Sequence, residues 1–181
     1  MQRFVRIAAA FSMLAVFMPA ATLERLGMDE MIEKSTAIVR GRVTGQRAAF
    51  RGPVIYTYFS VQVLERWKGV ESAQVEVAVP GGVARGLTQA FSGVPKLTPG
   101  DEYVFFLWTG KSGVTQIIGL SQGVFSLRSD GNGGVTATRA ASTEAMLDSR
   151  TGRVVEDEQV RFRLSDLRTR VNGVTASRGD R

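Results

Sequence analysis

The sequence predicts a mainly β fold with flanking helices (α+β), and three observations predict it. Apolar and polar residues alternate through most of the middle of the chain, β-branched and aromatic side chains fill those runs, and turns rich in Gly and Pro separate them at short intervals. The chain has 181 residues, 20 of them glycine, and contains neither cysteine nor histidine. About 160 residues remain once an N-terminal leader is set aside, which fits one domain able to bury roughly 70% of its unfolded surface without disulfides.

The leader comes first. Arg3 and Arg6 form a short positive region, residues 7–17 are an apolar run of the length of a signal-peptide core, and Pro19-Ala20-Ala21 supplies small residues for cleavage. Residues 1–21 are therefore read as a signal peptide, and the protein is expected to be exported to the periplasm or the medium. The run is shorter than the roughly 20 residues a membrane span needs, so no span is expected after cleavage, and no cysteine follows it to carry a lipid anchor. Losing Arg3 and Arg6 lowers the formal charge from +6 to +4. That modest excess gives no basic stripe of the kind a nucleic-acid partner requires, and none is expected.

Leu23, Leu26, Met31 and Ile32, with acidic residues between them, predict a short N-terminal helix interrupted at Gly27. Residues 37–43 then change to period two, with Ala37, Val39, Gly41 and Val43 on one face and Ile38, Arg40 and Arg42 on the other. A second strand spans 54–66, carrying Tyr56, Tyr58, Val61 and Val63, and ends at Lys68-Gly69. Val75, Val77 and Val79 resume the alternation and predict a hairpin partner for it. Pro80-Gly81-Gly82 opens a long irregular interval over residues 81–98. A connection of that length is uncommon inside a domain, and it reads either as a recognition loop or as a flap with Phe91 and Leu97 tucked in as plugs.

Residues 103–108 form an almost continuous apolar run, expected as a central strand. Strands are expected at 115–118, 119–127 and 135–138, with Asp130-Gly131-Asn132-Gly133-Gly134 as the turn between the last two. Residues 142–148 predict a short helix. Leu164, Leu167 and Val171 space a final one with Ser165 as a cap, and residues 173–181 read as a flexible basic tail after a single domain over 22–172.

Without imidazole or thiol there is no Ser-His or Cys-His pair and no His or thiolate zinc set. No catalytic residue, metal ligand or cofactor is assigned. Gly119-Leu120-Ser121-Gln122-Gly123 matches G-x-S-x-G, but a nucleophile elbow needs a following helix and a histidine. Gly110-Lys111-Ser112 carries the end of a phosphate loop, with Phe105 where its first glycine belongs. Asp130 and Asn132 begin like a calcium loop, yet Ala141 stands in place of the closing glutamate.

The order Ser35-Thr36-Ala37-Ile38-Val39-Arg40-Gly41-Arg42-Val43, Trp67-Lys68-Gly69, Val77-Ala78-Val79-Pro80-Gly81-Gly82 and Pro99-Gly100-Asp101-Glu102-Tyr103 resembles uncharacterised exported bacterial proteins whose strand plan is similar to the netrin-like domain of tissue inhibitors of metalloproteinases. The resemblance covers residues 23–128. It implies a five-stranded OB-type antiparallel barrel with a short N-terminal helix and C-terminal helices. The zinc-chelating N-terminal cysteine and the disulfides of those inhibitors have no counterpart here, so their inhibitory mechanism is carried to no residue.

The expectation is thus an exported non-enzymatic binding module. A protein (a protease among the possibilities) or a glycan is the expected partner, held by the 81–98 loop and a barrel face. The binding residues expected are Arg40, Tyr56, Tyr58, Gly81, Gly82, Arg85 and Phe91. The alternatives are a serine hydrolase pairing Ser121 with Lys111 or Lys96, and a ligand-free envelope structural protein.

Overall fold

The computed structural model describes residues 22–69, 71–142 and 144–179; the expected leader and the last two residues of the expected tail lie outside them. In chain order the elements are β1 (Thr22–Arg25), α1 (Met28–Lys34), β2 (Ala37–Arg51), β3 (Val54–Lys68), β4 (Gln74–Pro80), β5 (Gly82–Ala84) and β6 (Leu87–Gln89). They continue with β7 (Glu102–Thr109), β8 (Thr115–Ile117), β9 (Val124–Ser129), β10 (Val135–Arg139), β11 (Ala145–Asp148), β12 (Val154–Val155), β13 (Val160–Arg163) and α2 (Leu164–Gly179). A 3-10 turn at Leu120–Gly123 joins β8 to β9.

Eight strands form one sheet in the order β13-β10-β9-β7-β2-β3-β4-β8. Neighbours run antiparallel except β4 and β8, which are parallel at Ala78 and Gln116. β8 also pairs antiparallel with β7, so β8 is hydrogen-bonded to strands on both sides. Two small sheets complete the fold: β1-β11-β12, in which β1 runs parallel to β11, and the β5-β6 hairpin.

The apolar run at 103–108 explains itself once its neighbours are placed. Tyr103, Phe105 and Leu107 point to a core shared with Val39, Val61 and Val77, while Val104 and Phe106 point to a second core with Ile32, Trp67 and Leu167. A strand buried on both faces needs apolar residues at every position. The second core lies under the helices. α1 buries Met31 and Ile32, α2 buries Leu167 and Val171, and Phe125 joins it between Phe106 and Phe162, with ring centroids 5.7 and 6.4 Å away.

α1 starts at Gly27, whose amide donates to the Glu30 carboxylate at 3.3 Å. Its C-terminal carbonyls are met by Lys68 Nζ, at 2.6 Å from Ile32 O and 3.1 Å from Glu33 O, a cation placed where the helix dipole is negative. Gly69 is fixed by geometry, since its φ is +66° and a Cβ there would lie 2.1 Å from the carbonyl oxygen of Thr36.

Several expectations change. Residues 22–25 are strand rather than the first turn of a helix, because they pair with β11. Residues 142–148, expected as helix, supply that partner instead. The strand expected to stop at Val43 continues to Arg51, past register shifts between Val43 and Gly45 that hide its periodicity. The strand expected over 119–127 begins only at Val124, after the 3-10 turn. Residues 173–179, read as tail, continue α2, with Val174 packed on the second core. Ser165 hydrogen-bonds its neighbour Asp166 rather than a backbone amide of the helix. The 130–134 turn forms as expected, with Asp130 Oδ1 accepting from the amides of Asn132 and Gly134 at 2.9 Å.

Candidate functional site

Two clefts flank the pair Pro80 and Pro95. The larger, about 390 Å³, lies between β1, the β4 and β8 strands and the 3-10 turn, and its apolar lining includes Leu23, Leu26, Ile118, Leu120 and Trp108, with Glu24 and Lys34 among its charged groups. The smaller, about 250 Å³, is lined by Thr57, Phe59, Gly81, Gly82, Phe91 and Lys96. Val79, Pro80 and Pro95 belong to both, so the two clefts share a common wall.

The larger cleft is built from unusual backbone. Gly119 and Leu120 both have left-handed φ, +60° and +55°. A left-handed leucine is strained, and such strain persists only where the surroundings hold it. The hold here is visible. The Ser121 amide donates to Gly93 O at 3.1 Å and the Gln122 amide to Gly119 O at 3.1 Å. The Gln122 side chain is buried and spans to β1, accepting from Leu26 N at 2.9 Å and donating to Glu24 O at 2.8 Å. Gln122 thereby fastens the edge of the cleft to its floor. Trp108 stands 47% exposed at the mouth with its ring folded over Gly110, where a Cβ would come within 2.6 Å of the indole.

In the smaller cleft, the Gly81 amide donates to Ile55 O at 2.7 Å and Thr57 Oγ1 donates to Gly81 O at 2.8 Å. A Cβ at Gly82 would lie 2.4 Å from Thr57 Oγ1, so the loop approaches β3 as closely as only glycine allows. Phe91 is 45% exposed beside it.

Of the residues singled out in the sequence, the structure brings Gly81, Gly82 and Phe91 together in this cleft. Arg85 sits at the β5-β6 turn with its guanidinium 5.9 Å from the Phe50 ring centroid. Tyr56 and Tyr58 lie side by side on β3 with ring centroids 6.3 Å apart, on residues alternating with the cleft-lining Thr57 and Phe59. Arg47 covers the Tyr58 ring at 4.3 Å and binds Glu76 through both carboxylate oxygens. Arg40 is engaged elsewhere, in a charge ladder with Glu65 at 2.6 Å and Glu102 at 2.8 Å that Arg42 and Arg168 extend. Partial burial alone would raise the pKa of both glutamates. Hydrogen bonds from Trp67 and Arg40 to Glu65, and from Arg40 and Arg42 to Glu102, outweigh it and hold both carboxyls below their ordinary value.

Sequence reasoning missed Leu23, Leu26, Trp108, Leu120 and Gln122. Their one legible signal was Trp108, an aromatic at the end of a run whose other members are buried. Ser121 lies in the 3-10 turn, and among the described residues neither Lys96 nor Lys111 is hydrogen-bonded to it. No family model, curated protein or solved structure matches the chain.

Proposed function

We propose that the chain is an exported, non-catalytic binding module on a five-stranded OB-type barrel, holding a protein partner or a glycan in the tract along Pro80 and Pro95. The barrel reading is supported by the pairing circuit β7-β2-β3-β4-β8 and back to β7. A protease partner rests on the netrin-like resemblance alone. The single observation that carries the binding reading is a half-exposed tryptophan at the mouth of an apolar cleft whose wall contains a strained, firmly held leucine. Sites of this kind pair an aromatic anchor with a preformed apolar surface.

Trp108 is also the reporter. Trp67 is buried, so a ligand seated in the larger cleft shifts the emission of Trp108. The test displays the chain against arrays of peptides and glycans, alongside Trp108→Ala and Phe91→Ala. A retained ligand should blue-shift the emission and lose about tenfold or more in affinity with Trp108→Ala. Binding indifferent to both replacements sinks the reading. So does a hydrolytic activity that Ser121→Ala abolishes while the fold stays intact.

A further inference from the structure

The turn of the β5-β6 hairpin is tight. Ala84 pairs with Leu87 across the two residues Arg85 and Gly86, whose φ values are +51° and +77°. Positive φ at both central positions is the two-residue turn that matches strand twist. Gln89 bolts this hairpin to the β2-β3 turn. Its side-chain oxygen accepts from Ile55 N at 2.7 Å and its amide nitrogen donates to Pro53 O at 3.0 Å. The base of the β5-β6 hairpin is thus fastened to the β2-β3 turn, and at its tip the Arg85 guanidinium lies 5.9 Å from the ring centroid of Phe50, near the end of β2.

What they display is apolar and cationic. Val83 is 63% exposed and Leu87 is 60% exposed. Val83 pairs with Thr88 while Leu87 pairs with Ala84, so the two aliphatic side chains leave opposite faces of the hairpin. Residues 44–59 and 76–98, which build this end, carry Arg47, Arg51, Arg85 and Lys96 against one carboxylate, Glu76. Glu76 is taken by Arg47. Among the described residues Arg51, Arg85 and Lys96 make no ion pair. An open concavity of about 480 Å³ joins Val83, Arg47 and Lys96, so the charge lies next to the apolar tip.

We propose that the paired β2-β3 and β5-β6 turns form a docking surface for an anionic lipid bilayer, with Val83 and Leu87 entering the interface and Arg51, Arg85 and Lys96 meeting lipid phosphates. A flat partner covers one face of a hairpin. A bilayer surrounds both faces, which suits exposed aliphatics that leave on opposite sides. The charge imbalance selects the sign of the surface, since each basic residue near an anionic bilayer strengthens binding by about fivefold. This surface does not include Trp108, although Lys96 also lines the smaller cleft, and the proposal goes beyond the binding reading above.

The test uses the full chain on vesicles of phosphatidylcholine with and without phosphatidylglycerol, read by co-sedimentation. The apolar run at 7–17 contributes equally to every variant, so the readout is the difference between variants. The expected result is preference for the phosphatidylglycerol vesicles that weakens as salt is raised, a loss of about twentyfold with Arg51→Gln plus Arg85→Gln, and a comparable loss with Val83→Ser plus Leu87→Ser. Melting temperatures of both double variants check that the fold is kept. Trp108→Ala should bind vesicles normally. Because the chain has no cysteine, Val83→Cys labelled with an environment-sensitive dye reports the tip alone, and its emission should blue-shift on the anionic vesicles. An unchanged dye spectrum, or tip variants that bind as the parent does, overturns the proposal. A dye shift produced by a soluble protein and not by vesicles overturns it in favour of a protein-docking tip.

Discussion

Arg139 and Asp157 are 6% and 1% exposed, and their 2.7 Å contact ties the segment between β12 and β13 to β10. Asp157 also accepts from the Ser142 amide at 2.8 Å, whereas Arg139 Nε is buried with no hydrogen-bond partner among the described residues. Burial pushes the Arg139 pKa below its ordinary value, Asp157 opposes this, and Arg25 adds to it. Removing one member of such a pair strands the other charge, so Arg139→Ala should cost about 3–5 kcal/mol in urea unfolding. Arg139→Met with Asp157→Leu should recover most of that loss; a double variant as unstable as the single one counts against burial as the cause. The charge ladder around Glu102 behaves differently because it is only partly buried. Its folded pKa is depressed from 4.5, so its contribution is present above that value and disappears as pH falls through the lower folded one. Glu102 is only 20% exposed, and about 1 kcal/mol is at stake. Melting curves of Glu102→Gln should therefore differ from the parent at pH 7 and converge with it as the pH is lowered through and below the depressed folded range.

At the scale of elements, β7 decides the fold because both of its faces are core. Phe105→Ala should destabilise by roughly 3–5 kcal/mol, since the ring is fully buried among Val39, Val61 and Leu107; a melting temperature left unchanged would contradict this packing. β7 was readable because an apolar run bounded by turn residues has few other uses. β3 and β4 were readable from their alternation. The end of β2 was not, since the register shifts near Gly45 break the period and Gln46-Arg47-Ala48-Ala49 offers no face. β11 was hidden for another reason. Ala145-Met146-Leu147 favours helix locally, and its strand is made by pairing with β12 on one side and with β1, 123 residues earlier at Thr22 and Ala145, on the other. The same distance conceals the site. Leu23, Trp108 and Leu120 line one cleft, and no local pattern links them. The 81–98 loop was legible as a feature through its Gly and Pro content, but not the small hairpin inside it.

For the whole molecule, long-range closure sets the character of the fold. Arg170 Nε donates to Asp29 Oδ1 at 2.8 Å across 141 positions, and α2 covers a core that α1 begins. The first core, by contrast, is drawn from residues 37–124. A chain delivered from its N-terminus by a ribosome or a translocation channel can therefore assemble the first core while the second still lacks its roof. Closing a loop that spans nearly the full length comes last and slowly. The molecule latches only when Val171 has emerged; until then α1, among the earliest described segments to arrive, waits for α2, the latest, while β1 waits for β11.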